Sequence, residues 1–306
     1  MQSGLLPVRV LELNFLDWFQ NLPSPEFQED LKQALLEYDE HPFQKGFAYH
    51  VGPRVNFEIA YIDQGQIQLF ENYNQLLWCL SYALLVLFEE GYKKPLLSGT
   101  FTGRIDLEHP EVKKALKTFK FGMTLFKSYN KELFYHIPNP EKVAESDKDY
   151  VDKANGVFTA GMTFTLLHEF AHDFYGHEKV KSSDEDSKQF EFDADAYALQ
   201  SISSTFPIET GQTFKLGVIA SLCSFIFIDK QMQGSREHPE EDKRIDFGIE
   251  KLALSDEDDI WGIASLGYWL WSFHFKVDFT LSKECETFKD LYLEFKSNVG
   301  VYKNYL

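Results

Sequence analysis

Apolar residues recur with helical spacing along most of the chain and with strand-like alternation in one short stretch. Residues 11–19 and 25–38 carry apolar positions every three to four residues and predict two short helices. Residues 46–51 and 55–62 are rich in aromatic and β-branched side chains in rough alternation. Asp63-Gln64-Gly65-Gln66 then reads as a turn into residues 67–70, so a small antiparallel sheet is expected there. Helix returns over 76–90, with Gly91 as its expected C-terminal cap. Pro110 opens another helix, on which Val112, Leu116, Phe119, Met123 and Phe126 form one stripe. Residues 130–153 are polar, are broken by Pro138 and Pro140, and read as a loop. A strongly apolar helix over 156–175 ends at Gly176, and a polar loop over 178–187 leads into a helix over 188–203. Three more helices are expected near 212–231, 240–253 and 257–275. The acidic run Ser255-Asp256-Glu257-Asp258-Asp259 caps the last of these. The pattern predicts a mostly helical α+β fold with a small antiparallel sheet in its N-terminal part. One domain spans 1–306, with a helix and sheet portion over 1–100 and a helical portion over 155–275.

Composition narrows the classes open to such a fold. A chain of 306 residues with 44% hydrophobic side chains, 29 of all residues being Phe, can bury a large aromatic core. A net charge of −18 repels nucleic acid and anionic lipid at long range and excludes both as expected partners. Lys113, Lys114, Lys117 and Lys120 are a local exception, read as a solvated helix face. Three cysteines, Cys79, Cys223 and Cys285, show no CxxC spacing, which suits a reducing cytoplasm. The apolar stretches 76–88 and 216–228 are shorter than the ~18–20 residues of a spanning helix. Residues 260–275 are interrupted by polar positions and include His274. No stable membrane insertion and a cytoplasmic location are therefore expected.

The chemistry concentrates in three segments. His168 and His172 stand four residues apart within the apolar helix, which puts both imidazoles on one face, able to grip one zinc ion. Glu169 lies beside them, placed to take a proton from water as general base. The alternative is a solvated or hydrogen-bonded His pair. Against it, both His and Glu169 interrupt an otherwise apolar helix, where unpartnered polar groups are costly to bury. A third ligand is required, and Glu191-Phe192-Asp193-Ala194-Asp195 on the next helix offers Glu191, with Asp195 one turn on to orient a ligand His. Ala194 and Ala198 leave room for close helix approach; the bland alternative is an acidic solvated face. His177 is a rival ligand, but its offset and that of Gly176 do not fit HExxHxxGxxH, and it is set aside. Finally, His238-Pro239 through Arg244-Ile245 supplies a His able to donate to a tetrahedral intermediate and an Arg able to hold Asp195.

In this order the three segments resemble the gluzincin zinc peptidases, whose pattern is HExxH, an ExxAD-type helix and HPxxxxRI. The integral-membrane CAAX-processing and heat-shock-type zinc endopeptidases share the set. The chain looks most like the phage-exclusion (Lit-type) peptidases, cytoplasmic bacterial proteins of similar length, over about residues 45–275. The Pro-containing loop Ile137-Pro138-Asn139-Pro140 before the zinc helix and His177 after it belong to that likeness. The resemblance implies a zincin-like domain. It also implies a zinc metalloendopeptidase that cleaves a host protein, a translation factor, in a growth-arrest response to phage. On it, His168, His172 and Glu191 are the Zn2+ ligands and Glu169 and His238 the catalytic groups, with Asp195 and Arg244 supporting them from behind. Activity loose in a cytoplasm calls for an activating partner or a closed cleft. Two other classes stay open: a zinc-binding sensor without turnover, which has no use for Glu169, and an all-helical interaction protein, which binds no metal.

Overall fold

A computed structural model describes residues 5–37, 48–51, 58–63, 66–101, 104–127, 134, 136–177, 180, 183–205, 208–279 and 285–304. A 3₁₀ turn, Pro7–Leu11, leads into α1 (Glu12–Gln20) and α2 (Pro25–Glu37). Three strands follow, β1 (Ala48–His50), β2 (Tyr61–Asp63) and β3 (Gln66–Phe70). The rest is helical: α3 (Glu71–Val86), α4 (Lys94–Leu97), α5 (Pro110–Thr124), α6 (Lys148–Phe174), α7 (Asp184–Ser203), α8 (Ile208–Phe225), α9 (Glu241–Lys251), α10 (Ile260–Phe275) and α11 (Phe288–Asn304). The fold is therefore mostly helical α+β, as the periodicity predicts. Among the described residues no helix is long and apolar enough to cross a membrane.

Two buried helices form the frame. Every residue of α3 is buried, which explains why its sequence shows an apolar run and no polar face. α6 runs alongside in the opposite sense: Trp78 Nε1 donates to Asn155 Oδ1 at 2.8 Å, while Leu77 lies against Gly161 and Tyr73 reaches Thr165. α5 and α8 complete the layer around α3, and α1, α7 and α8 close around α6. The N-terminal turn is tied to the start of α3, where Glu71 accepts from the Leu5 and Leu6 N–H groups at 2.5 and 2.7 Å. Gln75 Oε1 accepts from Val8 N at 3.0 Å.

The sheet has the order β1-β3-β2 and is mixed. β2 pairs antiparallel with β3, as expected, but β1 runs parallel to it. A period of two is the same in either direction, so alternation could not separate them. Residues 55–57 of the expected second strand, and Gln64 and Gly65 of the expected turn, lie outside the described residues.

Several helical features also differ from the sequence reading. α6 starts at Lys148, eight residues earlier, because its polar first turns bury Val151 and Ala154 on one side and pair Lys148 with Asp152 and Lys153 with Asp149 on the other. Gly91 is no cap: it sits inside a π-helical stretch, Leu87–Lys93, that continues α3. Its bare Cα faces Ile105, which an added Cβ would approach to 3.1 Å. α11, whose buried Tyr292, Phe295 and Val299 recur at helical spacing, was not expected.

Where α8 crosses α6, the contact is glycine on glycine. A Cβ on Gly217 of α8 would stand 2.6 Å from Ala160 Cβ and 2.6 Å from Gly161 N of α6. Gly217→Ala must therefore push the two helices apart, and urea unfolding should show a loss of about 2–3 kcal/mol. Gly156→Ala meets only a methyl at 3.5 Å and should gain about 0.5–1 kcal/mol from helix propensity.

Candidate metal centre

The last turns of α6 carry His168, Glu169 and His172, and the helix stops where Gly176 takes a φ of 67°. α7 begins earlier than the sequence suggested. Ser183 caps it in a reciprocal box with Asp186, which fixes the start of the helix that presents Glu191 and Asp195 one turn apart. Ala194 and Ala198 are fully buried between the helices. Behind both, Arg244 projects from the first turns of α9. Gly234, at a φ of 65°, makes the preceding turn tight enough for Ser235 N to donate to the His238 carbonyl at 2.9 Å.

These elements bring His168, His172 and Glu191 into one group able to hold a metal ion. The two Nε2 atoms are 3.1 Å apart. Glu191 Oε2 lies 3.5 Å from His168 Nε2, and Oε1 lies 3.4 Å from His172 Nε2. Donors about 2.0–2.1 Å from a tetrahedral ion stand about 3.3–3.4 Å from one another, and each of these contacts, made by one or the other Glu191 oxygen, is close to that spacing. The charge fits as well: the carboxylates of Glu169, Glu191 and Asp195, all under 10% exposed, face the single guanidinium of Arg244. A buried excess of negative charge is met by a cation.

The outer contacts fix each group. His168 Nδ1 stands 2.9 Å from Asp195 Oδ1, and as the donor it leaves the Nε2 lone pair free for a ligand. Arg244 grips Asp195 with two bonds, Nε to Oδ2 at 2.9 Å and Nη2 to Oδ1 at 2.7 Å. Its Nη1 lies 3.0 Å from Glu191 Oε2, and its plane rests on the Phe225 ring 4.5 Å away. Burial would raise both acids, but the Arg244 charge and the imidazole contacts outweigh it, holding Asp195 below and Glu191 well below the ordinary carboxylate range. Burial lowers His168, against the pull of Asp195, and favours the neutral ring that coordinates metal.

Contacts thus join Asp195, Arg244 and His238 to the three donors, and Glu169 is buried beside His168 in the chain. The Arg244 bond to Asp195 is present as anticipated, while its contact to Glu191 was not foreseen. The His238 side chain is about three-fifths exposed, and its Nδ1 lies 3.2 Å from Glu191 Oε1. That hydrogen bond raises its pKa. Set aside as a ligand, His177 nevertheless matters. Its Nδ1 stands 3.0 Å from His172 Nδ1, and its ring stacks on Phe190 at 4.2 Å and 9°. Burial, aided by His172, pushes its pKa down to about 4, so it is a neutral partner for His172. The signal was the turn at Gly176, which folds the next residue back over the helix end.

Two imidazoles on one helix, a carboxylate on the next and an arginine behind them define a helical protein with a buried three-donor group that could hold a metal ion. A model of the Peptidase U49 family matches residues 67–264, and the chain belongs to that family. It is by that membership a peptidase. No curated protein and no solved structure matches the chain. The matched span contains every side chain of the centre, whereas α11 lies beyond it.

Removing Arg244 leaves two buried carboxylates without their cation. Arg244→Met should destabilise the metal-free protein by about 3–5 kcal/mol in chemical denaturation. A loss below about 1 kcal/mol would show that the acids carry no buried charge.

Proposed function

We propose that this peptidase is a zinc-dependent endopeptidase of the gluzincin kind, acting on a protein substrate. The observation that carries the reading is the convergence of His168 Nε2, His172 Nε2 and the Glu191 carboxylate, the two nitrogens 3.1 Å apart and each 3.4–3.5 Å from its own Glu191 oxygen. When bound there, zinc supplies Lewis acidity, polarising the scissile carbonyl and acidifying water. Glu169 takes the proton of the attacking water on its carboxylate and delivers it to the leaving amine nitrogen. Asp195 holds His168 in the tautomer that offers Nε2, and His177 does the same for His172. Arg244 keeps Glu191 ionised and aimed. From Glu191 Oε1, His238 swings to donate to the oxyanion of the tetrahedral intermediate. β2 is an edge of the sheet and packs against α6, so an extended peptide added to it would run beside the metal helix.

The resemblance to phage-exclusion peptidases supports the remainder. The substrate is a translation factor of the host, cut in the cytoplasm during growth arrest, and an activating partner releases the activity.

Elemental analysis of purified protein tests the centre. About one zinc per chain is expected in the wild type, lost in His168→Ala and in Glu191→Ala. Glu169→Gln should keep the zinc and lose about 10²–10⁴-fold in peptide hydrolysis. Full biological effect from that variant would instead establish a zinc-binding sensor without turnover. A wild type that takes up no metal at neutral pH would end both readings.

A further inference from the structure

α9 has two faces with opposite duties. Arg244 points to the metal centre, where it holds Asp195 and Glu191. Asp242 and Asp246, each two residues from it, lie roughly 160° around the helix and within about 40° of each other. Both are engaged by α11. Lys303 Nζ bonds Asp242 Oδ1 at 2.8 Å and also pairs with Glu240 at the helix start. Tyr292 OH donates to Asp246 Oδ1 at 2.7 Å, and Lys296 Nζ is 2.9 Å from Asp246 Oδ2. Lys303 and Asp242 are only 15% and 11% exposed, so this contact is less screened than a surface pair. On its remaining side α9 is wedged against α8, where a Cβ on Gly248 would stand 2.3 Å from Leu222 Cδ1.

We propose that α11 is a clamp that sets the position of α9, and through it the grip of Arg244 on the metal ligand Glu191, with Lys303 as its principal positioning residue. The clamp lies outside the residues shared with the family. It acts from the face opposite the chemistry and touches no reacting group. When Lys303 lets go, the N-terminal turn of α9 is free to shift, and Arg244 with it; Glu191 then loses the contact that aims it. The inference rests on the metal reading for its effect on zinc, but its mechanical part concerns α9 alone.

The experiment compares Lys303→Met, which keeps the chain length and removes the charge, with Lys303→Arg and Lys289→Met. Lys289 lies on the same helix, where it pairs with Asp256 at 2.5 Å and rests over Trp261, so it controls for loss of a lysine pair from α11. Two quantities are read: zinc affinity, by competition with a chelator, and amide hydrogen exchange across Glu241–Lys251 in the metal-free protein. Lys303→Met should bind zinc about three- to tenfold more weakly and should speed exchange in α9 without speeding it in α3. Lys303→Arg should restore both, and Lys289→Met should change neither. Unaltered exchange in α9 overturns the clamp. So does unaltered zinc affinity with faster exchange, because α9 would then move without consequence for the site. Acceleration of exchange in α3 together with α9 would mean general loosening and also overturns it. Failure of the wild type to bind zinc would refute the metal reading alone, and the exchange comparison would still decide whether α11 holds α9.

Discussion

The guanidinium of Arg244 is the constraint on which the rest of the centre depends. It meets the two buried carboxylates of α7, Asp195 by two bonds and Glu191 by one. Through Asp195 it also reaches His168 on α6. Three helices distant in sequence are therefore joined by one buried cation. Without it the acids would be drawn towards their neutral forms by desolvation, and neither would serve its neighbour imidazole. The arrangement is costly in free energy, since charges taken out of water are recovered only by good geometry. Here the cluster lies at one end of the α3–α6 pair, where Tyr73 reaches Thr165.

The frame around it is built for close approach rather than for charge. Gly161 and Gly217 let α6 and α8 touch backbone to backbone, and one turn on Thr165 Oγ1 meets Ser221 Oγ at 3.1 Å. Tyr73 of α3 joins the same hydroxyl group, 3.2 Å from Ser224 Oγ. Small residues and short hydroxyls thus fix the height at which His168 and Glu169 emerge. A bulkier seam would displace the donors by more than the few tenths of an ångström that the group tolerates.

Much of this was legible before any coordinates. Spacing identified His168 and His172, and the second segment offered Glu191 and Asp195, because a helix places residues four apart on one face whatever surrounds it. What stayed hidden was set by tertiary context. The first turns of α6 look polar because their apolar positions, Val151 and Ala154, are few, and ion pairs cover the other side. The direction of β1 leaves no mark on alternation. α11 carries its stripe in Tyr292, Phe295 and Val299, between charged residues that dilute it. The bond from Arg244 to Glu191 depends on how α9 is docked, and no local pattern records that.

The two imidazoles of the centre are not equivalent, and the reason is geometric. Asp195 sits one turn beyond Glu191 on α7 and reaches the upstream ring, His168, from behind. His172 lies a further turn along α6, at the helix end, out of reach of that acid. The chain solves this locally: it turns at Gly176 and returns His177 to within 3.0 Å of the outer nitrogen of His172. Phe190, the residue before Glu191, holds the returning ring by stacking, so ligand and orienting partner are fixed by adjacent positions on α7. A carboxylate orients one ring, while a neutral imidazole behind the other orients it with little added charge. Two carboxylates behind two rings would deepen a negative excess that Arg244 alone already fails to balance.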